Sequence, residues 1–128
     1  MADVLILGDG EKRVVDLATL AQNLGAKVKS AIKFDVALEM VRTRPFDLVF
    51  VSHGYPISAL EELSEIVWEN NPTAPFVVFD LAADSERKLF RNKWELSLKG
   101  FEYTEPPETL FLLQSLVEGA KKRKSLSS

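Results

Sequence analysis

The sequence contains no cysteine, and this absence removes several kinds of chemistry at once. Without thiols the chain has no disulfide, no thiolate metal ligand and no cysteine nucleophile. Long apolar runs are also missing, since stretches such as Leu48–Val51 and Phe76–Phe79 are far too short to span a bilayer. The N-terminus carries Asp3 and lacks the basic region and apolar stretch of a secretory signal. We therefore expect a cytoplasmic protein with no membrane partner.

The chain also has no excess of positively charged residues. The chain has 16 Lys and Arg residues against 19 Asp and Glu residues, and its formal net charge is -3. This balance does not favour direct binding to nucleic acid. The 128 residues suit one domain, and the hydrophobic content of 46% is enough for one core. We predict a domain over residues 1–121 and a basic, serine-rich, disordered tail over residues 122–128.

Short apolar runs alternate with segments whose apolar residues recur at helical spacing. This alternation predicts a parallel sheet covered by helices on both faces, with right-handed connections. Gly25 and Gly100 stand where left-handed residues would end two of the helices. Asp35, and Ser58 together with Glu61, are predicted to cap the starts of two others. The predicted strands are Val4–Leu7, Lys27–Ile32, Asp47–Ser52, Phe76–Phe79 and Phe101–Thr104.

A functional site in such a sheet is expected beyond the carboxyl ends of the strands. There the residues resemble the receiver domain of two-component response regulators, and the likeness extends along nearly the whole chain. Pro56 lies four residues after Ser52, as the loop proline of that family follows its phosphorylated aspartate. The other matching segments are Val4–Gly10, Ala37–Val41, Asp47–Ser52, Pro75–Asp84 and Tyr103–Pro106. The resemblance implies a flavodoxin-like (βα)5 domain whose five-stranded sheet has the order 2-1-3-4-5.

The sequence departs from the family at the residues that carry its chemistry. Receivers accept a phosphoryl group on an aspartate, with Mg²⁺ held by an acidic pair and with a hydroxyl and a lysine around the phosphate. Asp9 matches one acidic residue, but Gly8 takes its partner's position and Ser52 takes the phosphoacceptor's. Asp80 replaces the hydroxyl residue, and Glu105 replaces the lysine. A serine cannot form an acyl phosphate, so the resemblance implies a receiver without ordinary phosphorylation, with no catalytic residue and no cofactor.

Two interpretations of function follow from this pattern. The first is a protein-interaction module of bacterial signalling, which binds a signalling protein or a second copy of itself. Its binding face would be the fourth predicted helix, the fifth strand and the last helix, with Tyr103 and an exposed Phe111. In receivers the aromatic at this place couples phosphate binding to that face, and the alternative is that Tyr103 is simply a half-buried aromatic on an edge strand.

The second interpretation is a sensor of a small molecule or divalent cation. It requires Asp9, Asp80 and Glu105 to converge at the strand ends, whereas separate carboxylates pointing into water would bind nothing. Catalysis is a third and weaker choice. His53 follows Ser52 directly, and adjacent residues at a strand end point in different directions, so a solvated loop histidine is the better interpretation.

Overall fold

The computed structural model describes residues 2–8, 12–52, 55–79, 97–104 and 108–127 of the chain. The strands lie within one residue of their predicted bounds. Most of the helix predicted between the fourth and fifth strands lies outside the described residues, although Ser97 and Leu98 are helical. The elements are β1 (Asp3–Leu7), α1 (Lys12–Asn23), β2 (Lys27–Ala31), α2 (Phe34–Thr43), β3 (Leu48–Ser52), α3 (Ile57–Asn70), β4 (Phe76–Phe79), β5 (Glu102–Thr104) and a C-terminal helix (Glu108–Ser127).

The five strands form one parallel sheet in the order β2-β1-β3-β4-β5, which confirms the predicted topology. All residues of β3 and β4 are buried. β2 is an edge strand with exposed residues along most of its length. Apolar residues on both faces of the inner strands are typical of a parallel sheet that carries helices on both sides.

Alternate residues of each strand supply two hydrophobic clusters on opposite faces of the sheet. On one face Leu5, Val49 and Val78 pack beneath α2 and α3. On the other face Ile6, Phe50 and Val77 pack beneath α1 and the C-terminal helix. The period of two along a strand produces this division, because successive side chains point to opposite faces.

Two glycines end helices in the left-handed conformation, as predicted. Gly25 has φ 90° and Gly100 has φ 87°. After α1, the Gly25 N–H bonds the Gln22 carbonyl and the Ala26 N–H bonds the Ala21 carbonyl, both at 3.0 Å. This pattern satisfies the last carbonyls of the helix and requires a residue without a Cβ at the turn.

The predicted helix starts are wrong at α2 and α3. Lys33 precedes α2, so Asp35 lies inside the first turn and makes no cap. Pro56 precedes α3 and its carbonyl accepts the first helical bonds, from Ala59 at 3.0 Å and Leu60 at 3.1 Å. The helix therefore begins earlier than the Ser58–Glu61 pattern indicates. Neither helix start has a side-chain cap hydrogen bond.

The C-terminal helix continues to Ser127. Its backbone is therefore helical across most of residues 122–128, where the sequence predicts a disordered tail. Lys121 Nζ donates to the Leu24 carbonyl over 2.8 Å and ties this helix to the end of α1. Within the described ranges, no helix has the length and apolar content needed to cross a membrane.

Candidate functional site

The carboxyl ends of β1, β3, β4 and β5 form one edge of the sheet. Ser52 at the end of β3 pairs with Phe79 at the end of β4, which in turn pairs with Thr104 at the end of β5. Leu7 pairs with Val51, so Gly8 follows β1 at the level of Ser52. Ser52, Phe79 and Thr104 are all buried.

The position of Gly8 beside Ser52 leaves no space for a side chain. A Cβ atom placed on Gly8 would lie 2.9 Å from Ser52 Cβ and 3.1 Å from Val14 Cγ2. Separations below 3.0 Å between such atoms are not found for real side chains. No room is left at the Gly8 position for a carboxylate that could hold a metal ion next to Ser52. The end of β1 therefore lies directly against the end of β3. This packing is possible because Gly8 has no side chain.

Ser52 itself is 5% exposed. A phosphoryl acceptor must meet its donor and the donor's metal ion in line, which a buried hydroxyl does not allow without movement of the surrounding chain. A serine hydroxyl also differs from an aspartate carboxylate because it cannot form an acyl phosphate. Ser52, which takes the phosphoacceptor's position in the predicted resemblance, is therefore a buried hydroxyl residue.

The other predicted pocket residues, Asp9, Asp80 and Glu105, lie outside the described residues, as does His53. Their convergence into a cation site stays a prediction. Among the residues that the structure does describe, no group of three or more His, Asp or Glu side chains is placed to hold a metal ion.

The two residues predicted for the interaction face lie in different surroundings. Phe111 on the C-terminal helix is 71% exposed, which confirms its predicted exposure, and neighbouring Leu110 is 45% exposed. Tyr103 on β5 is partly buried and packs with the cluster on the α2–α3 face of the sheet. The C-terminal helix covers the opposite face. The coupling role of Tyr103 stays a prediction.

Sequence analysis missed the contact made by Tyr55. Its hydroxyl donates to the Ile32 carbonyl over 3.0 Å, across 23 residues of sequence. The partly buried ring packs against the α2–α3 cluster. Only the position directly before Pro56 set Tyr55 apart in the sequence, and a single loop tyrosine gives no indication of a distant backbone acceptor.

Comparisons with known proteins identify structures that share this fold. A scan of protein-family models gives no match, and a search of curated proteins finds no significant relative. Solved structures do match. The receiver domain of a Francisella response regulator has a TM-score of 0.71 and 23% identity, over 97% of this chain and 99% of that one. A response regulator receiver domain protein from Clostridium thermocellum has a TM-score of 0.71 and 17% identity, over 100% of both chains.

A third neighbour is a receiver domain protein from Methanospirillum hungatei, with a TM-score of 0.67 and 17% identity over 96% of this chain and 98% of that one. Each likeness covers nearly all of both chains, while the identities are low. The shared property is therefore the three-dimensional arrangement. This chain has the flavodoxin-like fold of response-regulator receiver domains.

Proposed function

We propose that this chain is a receiver-like domain of two-component signalling that takes no phosphoryl group at the usual strand-end position and acts by binding a partner protein. The observation that carries the proposal is the buried Ser52 at the end of β3, in direct contact with Gly8. The fold supports a signalling role by analogy, and the altered residues argue against the usual switch.

The chemistry of the substituted positions supports the loss of phosphotransfer. Mg²⁺ prefers six oxygen ligands in a near-octahedral arrangement, and carboxylates are its usual protein ligands in such sites. Gly8 and Ser52 supply none of the carboxylates expected at their positions. Glu105 also takes the sequence position of the family's lysine. Replacing a cation by an anion 4 Å from a phosphate changes about 4 kcal/mol of attraction into a similar repulsion at an effective dielectric constant of 20.

The exposed apolar residues of the C-terminal helix support recognition of a partner. Leu110 and Phe111 are adjacent in the first turn of that helix, and the helix follows the edge strand β5 in the chain. Aromatic side chains with large exposed area are enriched at the centres of protein interfaces. A domain whose switch is lost would present this face in one conformation, so that its binding would be constitutive.

The first test is a series of amide NMR spectra with Mg²⁺ added and then with beryllofluoride, which mimics an aspartyl phosphate. We expect no saturable shift at Gly8, Ser52 or Tyr103 in either step. Shifts with beryllofluoride that reach Tyr103 would show an active phosphoacceptor and would overturn the proposal. Saturable shifts with Mg²⁺ alone would instead support the cation-binding interpretation.

The second test concerns the binding face. Phe111→Ala should weaken self-association in sedimentation velocity, or binding of a signalling protein in calorimetry, by at least tenfold if Phe111 is an anchor residue. Val36→Ala is the matched control, because Val36 is also an exposed apolar residue, 44% exposed, but lies on α2. Equal effects of the two substitutions would show that the C-terminal helix is not the binding face.

A further inference from the structure

β2 is the outermost strand of the sheet, at the edge opposite to β5. In the part of the chain that the structure describes, it pairs with β1 and with no other strand. The Lys27 N–H donates to the Ala2 carbonyl over 2.7 Å, and the Ala31 carbonyl accepts from the Gly8 N–H over 3.0 Å. Both ends of β2 are therefore bonded to the chain of β1 on the inner side.

The residues between these contacts direct their main-chain groups outward. Alternate residues of a parallel strand bond the same neighbour, so the N–H and C=O groups of Val28 and Ser30 point away from β1. Ser30 is exposed and Val28 is partly buried. The outer edge of β2 therefore presents a row of main-chain donors and acceptors to which an extended peptide can add as a further strand.

β2 lacks most of the features that protect an edge strand from such addition. It contains no proline, and it is as long as β1 and β3, with five residues in each strand. Its register with β1 advances one residue at a time, from Asp3–Lys27 to Leu7–Ala31, so no bulge interrupts the pairing. The protective feature that β2 does have is charge, in the form of lysine.

Two lysines determine which kind of strand this edge accepts. Lys27 and Lys29 are exposed and lie two residues apart, so their side chains point to the same face of the sheet, about 7 Å from each other along the strand. That face is the α2–α3 face, because Ala31 packs in its cluster. Neither lysine forms an ion pair with another residue of the described ranges. Their charges are therefore available to a strand that is added from outside.

This pair of charges disfavours a second copy of β2 and favours an acidic strand. Two β2 strands side by side would bring lysines next to lysines, and like charges across a strand pair are destabilising. Acidic residues at alternate positions of an extended peptide repeat at the same spacing of about 7 Å. Each carboxylate would then lie opposite one ammonium group.

We propose that the outer edge of β2 binds an acidic, extended segment of a partner protein by strand addition. The main-chain groups of Val28 and Ser30 hold the segment, and Lys27 and Lys29 select glutamate or aspartate at its alternate positions. This surface goes beyond the proposed function, because it lies at the opposite edge of the sheet from β5. The domain then has two separate binding surfaces.

Fluorescence anisotropy with short labelled peptides tests the proposal. The probe is a peptide in which glutamate alternates with valine, and we expect it to bind saturably. A peptide with lysine in place of glutamate should bind at least about tenfold more weakly, since each cross-strand ion pair becomes a repulsion. Absence of saturable binding by the acidic peptide, or equal binding of both peptides, would overturn the proposal.

A methylated peptide separates strand addition from general attraction between charges. Methylation of alternate main-chain nitrogens removes the donors on one edge of the peptide and leaves its glutamates unchanged. The peptide methylated on its bonding edge should bind at least about tenfold more weakly, because main-chain hydrogen bonds supply the affinity in strand addition. If methylation on either edge had no effect, the peptide would be held by charge alone and strand addition would be disproved.

Lys29→Glu tests the selecting charge. It should weaken binding of the acidic peptide by about tenfold and strengthen binding of the lysine peptide. Lys122→Glu is the matched control, because it makes the same change of charge at an exposed position of the C-terminal helix. Equal losses in the two variants would mean that net charge, and not the edge of β2, determines the affinity.

Ser30→Pro tests the main-chain contacts from the side of the protein. Proline is tolerated on an edge strand where the N–H faces solvent, so the fold should persist in circular dichroism while peptide affinity decreases. In amide NMR spectra of the unmodified chain, the acidic peptide should shift Val28 and Ser30. Shifts confined to Leu110 and Phe111 would overturn the proposal and place the peptide on the C-terminal helix. Failure at β2 would leave the Phe111→Ala test of the proposed function unaffected.

Discussion

At the scale of single residues, Gly8 shows how a missing side chain can shape a site. Its φ is not positive, so the reason for glycine here is space and not backbone conformation. Gly8→Ala should destabilise the fold by about 1 to 3 kcal/mol, because the new methyl group overpacks against Ser52 and Val14. Urea denaturation followed by circular dichroism measures this change.

The same substitution in an open place provides the control. Nothing lies within 4 Å of a Cβ added at Gly119 in the C-terminal helix. Gly119→Ala should therefore stabilise the protein by about 0.5 to 1 kcal/mol through helix propensity. If Gly8→Ala stabilised the fold equally, the close packing of β1 against β3 would be disproved.

At the scale of elements, the contact between α1 and the C-terminal helix depends on charge at a helix end. Lys121 Nζ bonds the Leu24 carbonyl just beyond the end of α1, where the helix dipole favours a cation. Lys121→Met keeps most of the apolar stem and should cost about 0.3 to 1 kcal/mol, with the cost decreasing at high ionic strength. Thermal unfolding at low and high salt measures it.

Lys122 is the natural comparison for this element. It is the next residue in the chain and is also exposed. Its replacement by methionine removes the same charge. Lys122→Met should change stability by less than Lys121→Met at low salt. Equal changes would mean that net charge, and not the contact with α1, determines the effect.

At the scale of the whole molecule, one sheet carries both hydrophobic clusters, so both should unfold together. Val77 and Val78 are neighbours on β4, are fully buried and point to opposite faces. Val77→Ala and Val78→Ala should each cost about 2 kcal/mol and shift one common transition. Circular dichroism and tryptophan fluorescence should give coincident curves for both variants. Curves that separate in only one variant would show that one face unfolds independently.

The order of the strands was expected only from the resemblance to receiver domains. The sequence by itself determined the strands and the left-handed ends at Gly25 and Gly100. These features are encoded locally, since a period of two or of 3.6 residues and a glycine at a turn are visible in short windows. The helix starts were less predictable. Ser58 and Glu61 form a capping pattern, yet Pro56 had a carbonyl free to start α3 two residues earlier.

Only the tertiary structure decided how Gly8 and Ser52 lie relative to each other at the ends of β1 and β3. From the sequence, Gly8 and Ser52 were predicted as lost ligands, which leaves open whether their place is an empty pocket or a filled one. The structure shows that a Cβ atom on Gly8 would lie 2.9 Å from Ser52 Cβ, so these two residues, 44 apart in the chain, leave no room for a side chain at Gly8. The reach of Tyr55 to Ile32 was equally hidden, since contacts between residues distant in sequence depend on how all the strands are arranged together.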